Sequence, residues 1–119
     1  MSAPLKIHRG DIVLCVVSGD YGKPRPALVL QADIYNETHA SVIVLPITSH
    51  IVAAPFFRID MEPDSTNGLD RPSQVMIDKV VAVKRERIRE IIGRAAPALL
   101  VELETAFLRF IDLPLRESG

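Results

Sequence analysis

Up to residue 95 the apolar residues come in short runs cut by glycine, proline and polar clusters, and none has the length or period of a helix. That interruption limits the chain to a mainly β fold. The run DIVLCVV, Asp11 to Val17, is β-branched and lies between Gly10 and the stretch Ser18 to Gly22, which predicts a buried strand over Ile12 to Val17. After the linker SGDYGKPRP, the run ALVLQ predicts a second strand whose entrance is stiffened by the rings of Pro24 and Pro26. The polar stretch ADIYNETHA follows, then SVIVLPI as a third strand, with Pro46 marking its end or an edge position. PFFRIDM predicts a fourth strand. SQVMIDKVVAV, Ser73 to Val83, reads as one long strand or two joined by a bulge, and IREIIGR reads as another. The acidic segment DMEPDSTNGLD, with the turn step Asn67-Gly68, reads as an exposed loop.

Helical period appears only near the C-terminus. Leu99, Leu100, Leu103, Ala106, Phe107, Phe110 and Ile111 recur at spacings of three and four, which predicts a helix from about Pro97 to Asp112. Pro97 suits the first turn, where a missing N–H costs nothing, and Pro114 helps to end the helix. Many short strands and one late helix indicate a small twisted barrel or coiled sheet with the helix packed on one side. At 119 residues one domain is expected, spanning 1–119.

A formal net charge of -1 excludes a histone-like binder, so affinity for nucleic acid would have to come from uneven charge placement. Cys15 is the single cysteine, which excludes an internal disulfide framework and fits a reducing cytoplasm. His8, His39 and His50 lack a metal-ligand spacing, so no metal and no cofactor are expected. No apolar run is long enough to span a bilayer, and the first residues offer no export signal, so the expected location is cytoplasmic with no membrane contact.

Three places could carry chemistry. Between Lys79 and Arg94 the cations Lys79, Lys84, Arg85, Arg87, Arg89 and Arg94 outnumber Glu86 and Glu90, forming either a phosphate-binding stripe or a solvated face beside a buried strand. In GDYGKPRPALVL, two prolines hold Arg25 at a strand entrance. A guanidinium there offers a planar fork for two phosphate oxygens, or takes part in a surface ion pair. Lys23 and Tyr21 could add a phosphate contact and a stacking ring, or Tyr21 could anchor the loop. In PITSH, Thr48 and His50 would share a face if the strand continued, placing a hydroxyl beside an imidazole; the plainer reading is that Thr48 closes a turn. No nucleophile elbow, Walker loop or dinucleotide glycine loop is present.

Taken in order, R-G-D-I-V from Arg9, G-K-P-R-P-A-L-V-L-Q from Gly22, L-P-I-T-S from Leu45, N-G-L from Asn67, P-S-Q-V-M-I-D-K from Pro72 and V-K-R-E-R-I from Val83 resemble the MazF/PemK family of toxins. The resemblance runs from about Ile7 to Asp112. It implies an SH3-like barrel of the CcdB/MazF type with a C-terminal helix, a homodimer, and an mRNA interferase that cuts single-stranded RNA without a metal, using the 2'-hydroxyl as nucleophile. It also implies a cognate antitoxin as partner. Matched by motif, Arg25 corresponds to the family's catalytic arginine and Thr48 to the threonine after the third core strand. The first loop is shorter than in many relatives and leaves Asp20 as its carboxylate. Asp20 and His50 are thus the candidates for acid or base. Tyr21, Lys23, Ser49, Lys79, Lys84, Arg85 and Arg87 are the candidate RNA contacts. Asp78-Lys79 stands where some members carry Glu-Gln, so the resemblance does not define a cleavage sequence. Two readings from other classes stand beside it: a non-enzymatic gyrase poison like the CcdB proteins, and an inactive module that binds an antitoxin peptide in a groove.

Overall fold

The computed structural model describes residues 5–17 and 22–114. Asp20 and Tyr21, two of the residues singled out above, lie outside the described residues, as does the end of the C-terminal tail. The elements run β1 (Asp11–Cys15), β2 (Arg25–Val29), α1 (Asp33–Asn36), β3 (Ser41–Thr48), β4 (Arg58–Met61), β5 (Ser73–Met76), β6 (Val81–Lys84), β7 (Ile88–Arg94) and α2 (Pro97–Phe110). Every strand pairing is antiparallel.

The strand order is β4-β5-β3-β2-β1-β7, with β6 also on β3. The result is a rolled, barrel-like sheet whose ladder does not close among the described residues. Residues next to each other in sequence go to opposite faces. Ile12, Leu28 and Leu45 enter one core with Leu103 and Ala106 of α2, whereas Val13, Val29 and Val44 enter a second core with Ile7, Cys15 and Val83. Burial on both faces explains why β1 to β3 read as unbroken apolar runs.

Most expected strands are present, with shifted ends. β1 stops at Cys15, two residues short of Val17, and β2 begins at Arg25, inside the prolines. Pro46 does not end β3. It lies within the strand, opposite Ala27. The Ser73–Val83 run is two strands, and they are separated by a 3-10 turn over Ile77–Lys79. Both follow the same edge of β3: Val75 faces Ile47 and Val81 faces Val44. Six steps along this segment therefore match three along β3, and the three residues of the turn absorb the excess. A single-residue bulge cannot do this.

The polar stretch after β2 holds the short helix α1, which buried Asn36 ties to the residues before it. Its Nδ2 donates to Gln31 O and Asp33 Oδ1. The acidic segment departs further from expectation, because it packs down onto β7. Asn67 is buried, and its Nδ2 donates to Glu62 O while its Oδ1 accepts from Leu69 N. Gly68 has φ +73, and a Cβ there would lie 2.1 Å from Ile92 O. A Cβ on Gly93 would lie 2.4 Å from Thr66 O. Two glycines thus let the loop and the strand touch backbone to backbone.

α2 starts at Pro97 without a side-chain cap and buries Leu103 and Ala106. Its last turn places Phe110 against Phe57, ring centroids 6.2 Å apart. The left-handed conformation of Asp112, φ 58, ends it before Pro114 is reached. Among the described residues no helix is long and apolar enough to cross a membrane.

Candidate active site

β2 and β3 bring Arg25 and Thr48 together. Their ladder pairs Ala27 with Pro46 and Leu28 with Leu45. Continued by two residues, this register places Arg25 opposite Thr48. Alternation puts both on the face that carries Val29 and Val44, where directly opposed residues lie about 5 Å apart at Cα. Both line an open cleft of about 1040 Å³, along with Lys23, Ser49, His50 and Lys79. Six of the residues singled out in the sequence therefore share one surface.

Thr48 is the last residue of β3, and its Oγ1 accepts a hydrogen bond from the His50 backbone N–H at 3.1 Å. The chain bends there, so the extended arrangement that would set the imidazole beside the hydroxyl does not form. Thr48 closes a turn, and its own O–H proton is left to donate into the cleft. His50 is an exposed residue of the same cleft.

The other wall comes from residues 69–73 and the 3-10 turn. Arg71, Ser73 and Asp78 line the cleft; Asp78 was marked in the sequence only by its place in the Asp78-Lys79 pair, and Arg71 and Ser73 were not marked as site residues. One signal was available: Arg71-Pro72 repeats the Arg25-Pro26 step, and a following proline confines the arginine backbone to extended conformations. Asp78 presents a carboxylate whose Oδ1 is buried without a hydrogen-bond partner. Lys23, Arg25, Arg71 and Lys79 face Asp70 and Asp78, so cations predominate in the cleft.

Lys84, Arg85 and Arg87 lie elsewhere. Lys84 pairs with Ser41 at the start of the eight-residue β3, about 23 Å along the strand from Thr48. Arg85 is structural: its Nε and Nη2 donate to His39 O, and Nη2 also donates to Asn36 O. Arg87 O accepts from Val16 N in the turn before β7, and Arg94 contacts the buried Asp11 carboxylate at 3.3 Å. The basic run of the sequence is therefore split among three parts of the surface.

Two carboxyls outside the cleft are held below the ordinary aspartate value of 3.8: Asp33 chiefly by the Arg9 backbone N–H, and Asp64 by the Thr66 N–H and hydroxyl and the Asn67 N–H. Both act through hydrogen bonds to the charged form.

Comparison with known proteins identifies the family. A family profile described as PemK-like, MazF-like toxin of type II toxin-antitoxin system matches residues 8–111. A probable endoribonuclease MazF of Mycolicibacterium smegmatis is 41% identical over 108 residues, covering 90% of this chain and 98% of the relative. Endoribonuclease EndoA of Bacillus subtilis is 27% identical over 105 residues, covering 84% and 90%. Among solved structures, Mycobacterium tuberculosis toxin MazF-mt6 superposes with TM-score 0.76 at 24% identity, covering 88% of this chain and 99% of that one. A MazE-MazF structure from Deinococcus radiodurans gives 0.75 at 22% identity, covering 92% and 99%. These two share the fold. With almost its whole described length matched by the profile and a 41% identical relative covered nearly end to end, the chain belongs to the family of PemK-like, MazF-like toxins of type II toxin-antitoxin systems.

Proposed function

We propose that this protein is an endoribonuclease toxin that cuts single-stranded mRNA at a short sequence, without a metal ion, and is neutralised by a cognate antitoxin. The observation that carries the reading is that Arg25 and Thr48, set opposite each other when the β2–β3 register is continued, line one cleft in which cations predominate. The endoribonuclease names of its relatives favour cleavage over gyrase binding. In this reading the protein acts as a homodimer in the cytoplasm, where mRNA is found.

The reaction needs little from the protein beyond positioning and charge. The 2'-oxygen attacks the adjacent phosphorus and loses its proton to a base. The bond to the 5'-oxygen breaks, that oxygen is protonated, and the products are a 2',3'-cyclic phosphate and a 5'-hydroxyl. Arg25 stabilises the charge that grows on the phosphoryl oxygens, because its fork meets two of them at once. The Thr48 hydroxyl, its acceptor side held by the His50 N–H, donates to one of those oxygens and orients the phosphate. Lys23, Ser49 and Lys79 hold the strand along the cleft. Asp20 and His50 are the candidates for proton transfer, and of the two His50 acts as a contact to the RNA rather than as the base.

The test is to incubate the protein with a long RNA, with and without EDTA, and to analyse the fragment ends. Cyclic phosphate ends formed in EDTA are expected. An RNA carrying deoxyribose 5' to the scissile phosphate should resist cutting, and equal cutting of that substrate would overturn the mechanism.

A further inference from the structure

The cleft holds a second guanidinium, carried on a restrained backbone, that the proposed chemistry leaves unused. We propose that Arg71 binds the RNA phosphate next to the one under attack, so that Arg25 and Arg71 grip the strand from either side of Thr48. The proposal rests on the endoribonuclease reading and extends it to a strand-holding residue.

Three observations support it. The first is placement. In the strand order β5-β3-β2, Thr48 lies opposite Gln74 of β5 on one side and, with the β2–β3 register continued, opposite Arg25 on the other. Arg71 is three residues before Gln74, so its Cα lies at most about 16 Å from that of Thr48, by chain reach plus one strand spacing. Arg71 lines the same cleft as Thr48, so its side chain is within reach of a phosphate neighbouring the one held at Arg25.

The second observation is rigidity. Arg71 follows a loop sealed onto β7 by buried Asn67 and by the contacts at Gly68 and Gly93. Pro72 restricts its backbone, and Ser73 Oγ donates to Arg71 O at 2.9 Å. Little backbone freedom remains to be lost when a ligand binds.

The third is the weakness of its present partner. Arg71 Nε contacts Asp70 Oδ1 at 3.5 Å, with the two side chains 67% and 87% exposed. Such a pair between exposed neighbours contributes little to folding. The fold therefore has no evident need of this arginine, whereas a phosphate offers its guanidinium two oxygens and a full charge.

The test measures binding apart from cleavage. The probe is a fluorescent single-stranded oligodeoxynucleotide with the sequence around the mapped cut, which keeps the phosphates but lacks the 2'-hydroxyl nucleophile. Kd is measured over a salt series for the wild type, Arg71→Ala and Arg71→Lys. Losing one charge-assisted phosphate contact should raise Kd about tenfold at 50 mM salt. It should also reduce the slope of log K against log salt by about 0.7, so the gap narrows to about fourfold at 200 mM. Arg71→Lys should keep the slope. With RNA, Arg71→Ala should raise KM and leave kcat and the melting temperature unchanged, a pattern that a structural role would not produce. An unchanged Kd and slope in Arg71→Ala, with wild-type cleavage intact, would overturn this proposal and leave the proposed function standing. A wild type that neither cuts RNA nor binds the probe would overturn both.

Discussion

Gly93→Ala should destabilise this protein, although general strand preferences point the other way. Gly93 lies in β7 opposite Ile12, at a backbone conformation open to alanine. Restricting the unfolded chain should stabilise by about 0.4–1 kcal/mol. The native loop reverses the sign. The new methyl would lie 2.4 Å from Thr66 O and 2.6 Å from Asn67 O, both main-chain atoms, so the loop must retreat by about 1 Å to reach ordinary contact. That retreat stretches the 2.8 Å bond from Arg94 N to Thr66 O beyond hydrogen-bond range and pulls on the 2.8 Å bond from Asn67 Nδ2 to Glu62 O. Each lost bond costs about 1 kcal/mol, and more when a buried group stays unpaired. Two such bonds outweigh the entropic gain by about 1–1.5 kcal/mol, or roughly 5 °C in melting temperature for a chain of this size. Urea titration should show a lower midpoint with an unchanged slope. A midpoint equal to or above the wild type would refute the claim that the acidic loop is sealed onto β7.

Arg25→Lys keeps the charge but loses the fork, and should slow cleavage about 100-fold in single-turnover assays with an unchanged unfolding midpoint; near-wild-type turnover would remove Arg25 from the chemistry. His50→Gln should keep most turnover and the same pH profile, and the loss of a limb near pH 6.5 would make His50 the proton-transfer group. Arg85→Ala should lower stability by about 1–3 kcal/mol, because the carbonyls of His39 and Asn36 lose their donor, while RNA affinity changes little; the opposite pattern in denaturation and binding assays would return Arg85 to the RNA surface. Asp33 and Asp64 titrate below 3.8 in the folded chain, so the unfolded chain binds more protons in that range. Their contribution is complete above the ordinary aspartate value and is lost as pH falls through the lowered one. Asp64→Asn should flatten that acid limb of a stability-pH profile, and an unchanged limb would show that the Thr66 and Asn67 bonds do not favour the charged carboxyl.

The sequence alone determined where most of the strands and the long helix α2 lie, but not α1. β-branched runs too short for a helix and a single stretch of three-and-four spacing are local properties, and local sterics and burial act on them directly. It also marked Arg25 and Thr48, because both stand in motifs continuous along the chain. Tertiary structure decided how these pieces meet. Whether Ser73–Val83 forms one strand or two depends on both halves sharing an edge of β3, and this shows only once Ile47 and Val44 find their partners. The role of Arg85 depends on carbonyls more than forty residues away, and the loop around Asn67 is held by a strand that follows it. Arg71 reaches the cleft only because β5 lies beside β3. Composition marks such residues as exposed and charged, but whether an arginine meets a carbonyl, a carboxylate or a phosphate is decided by what the folded chain places within a few ångströms of it.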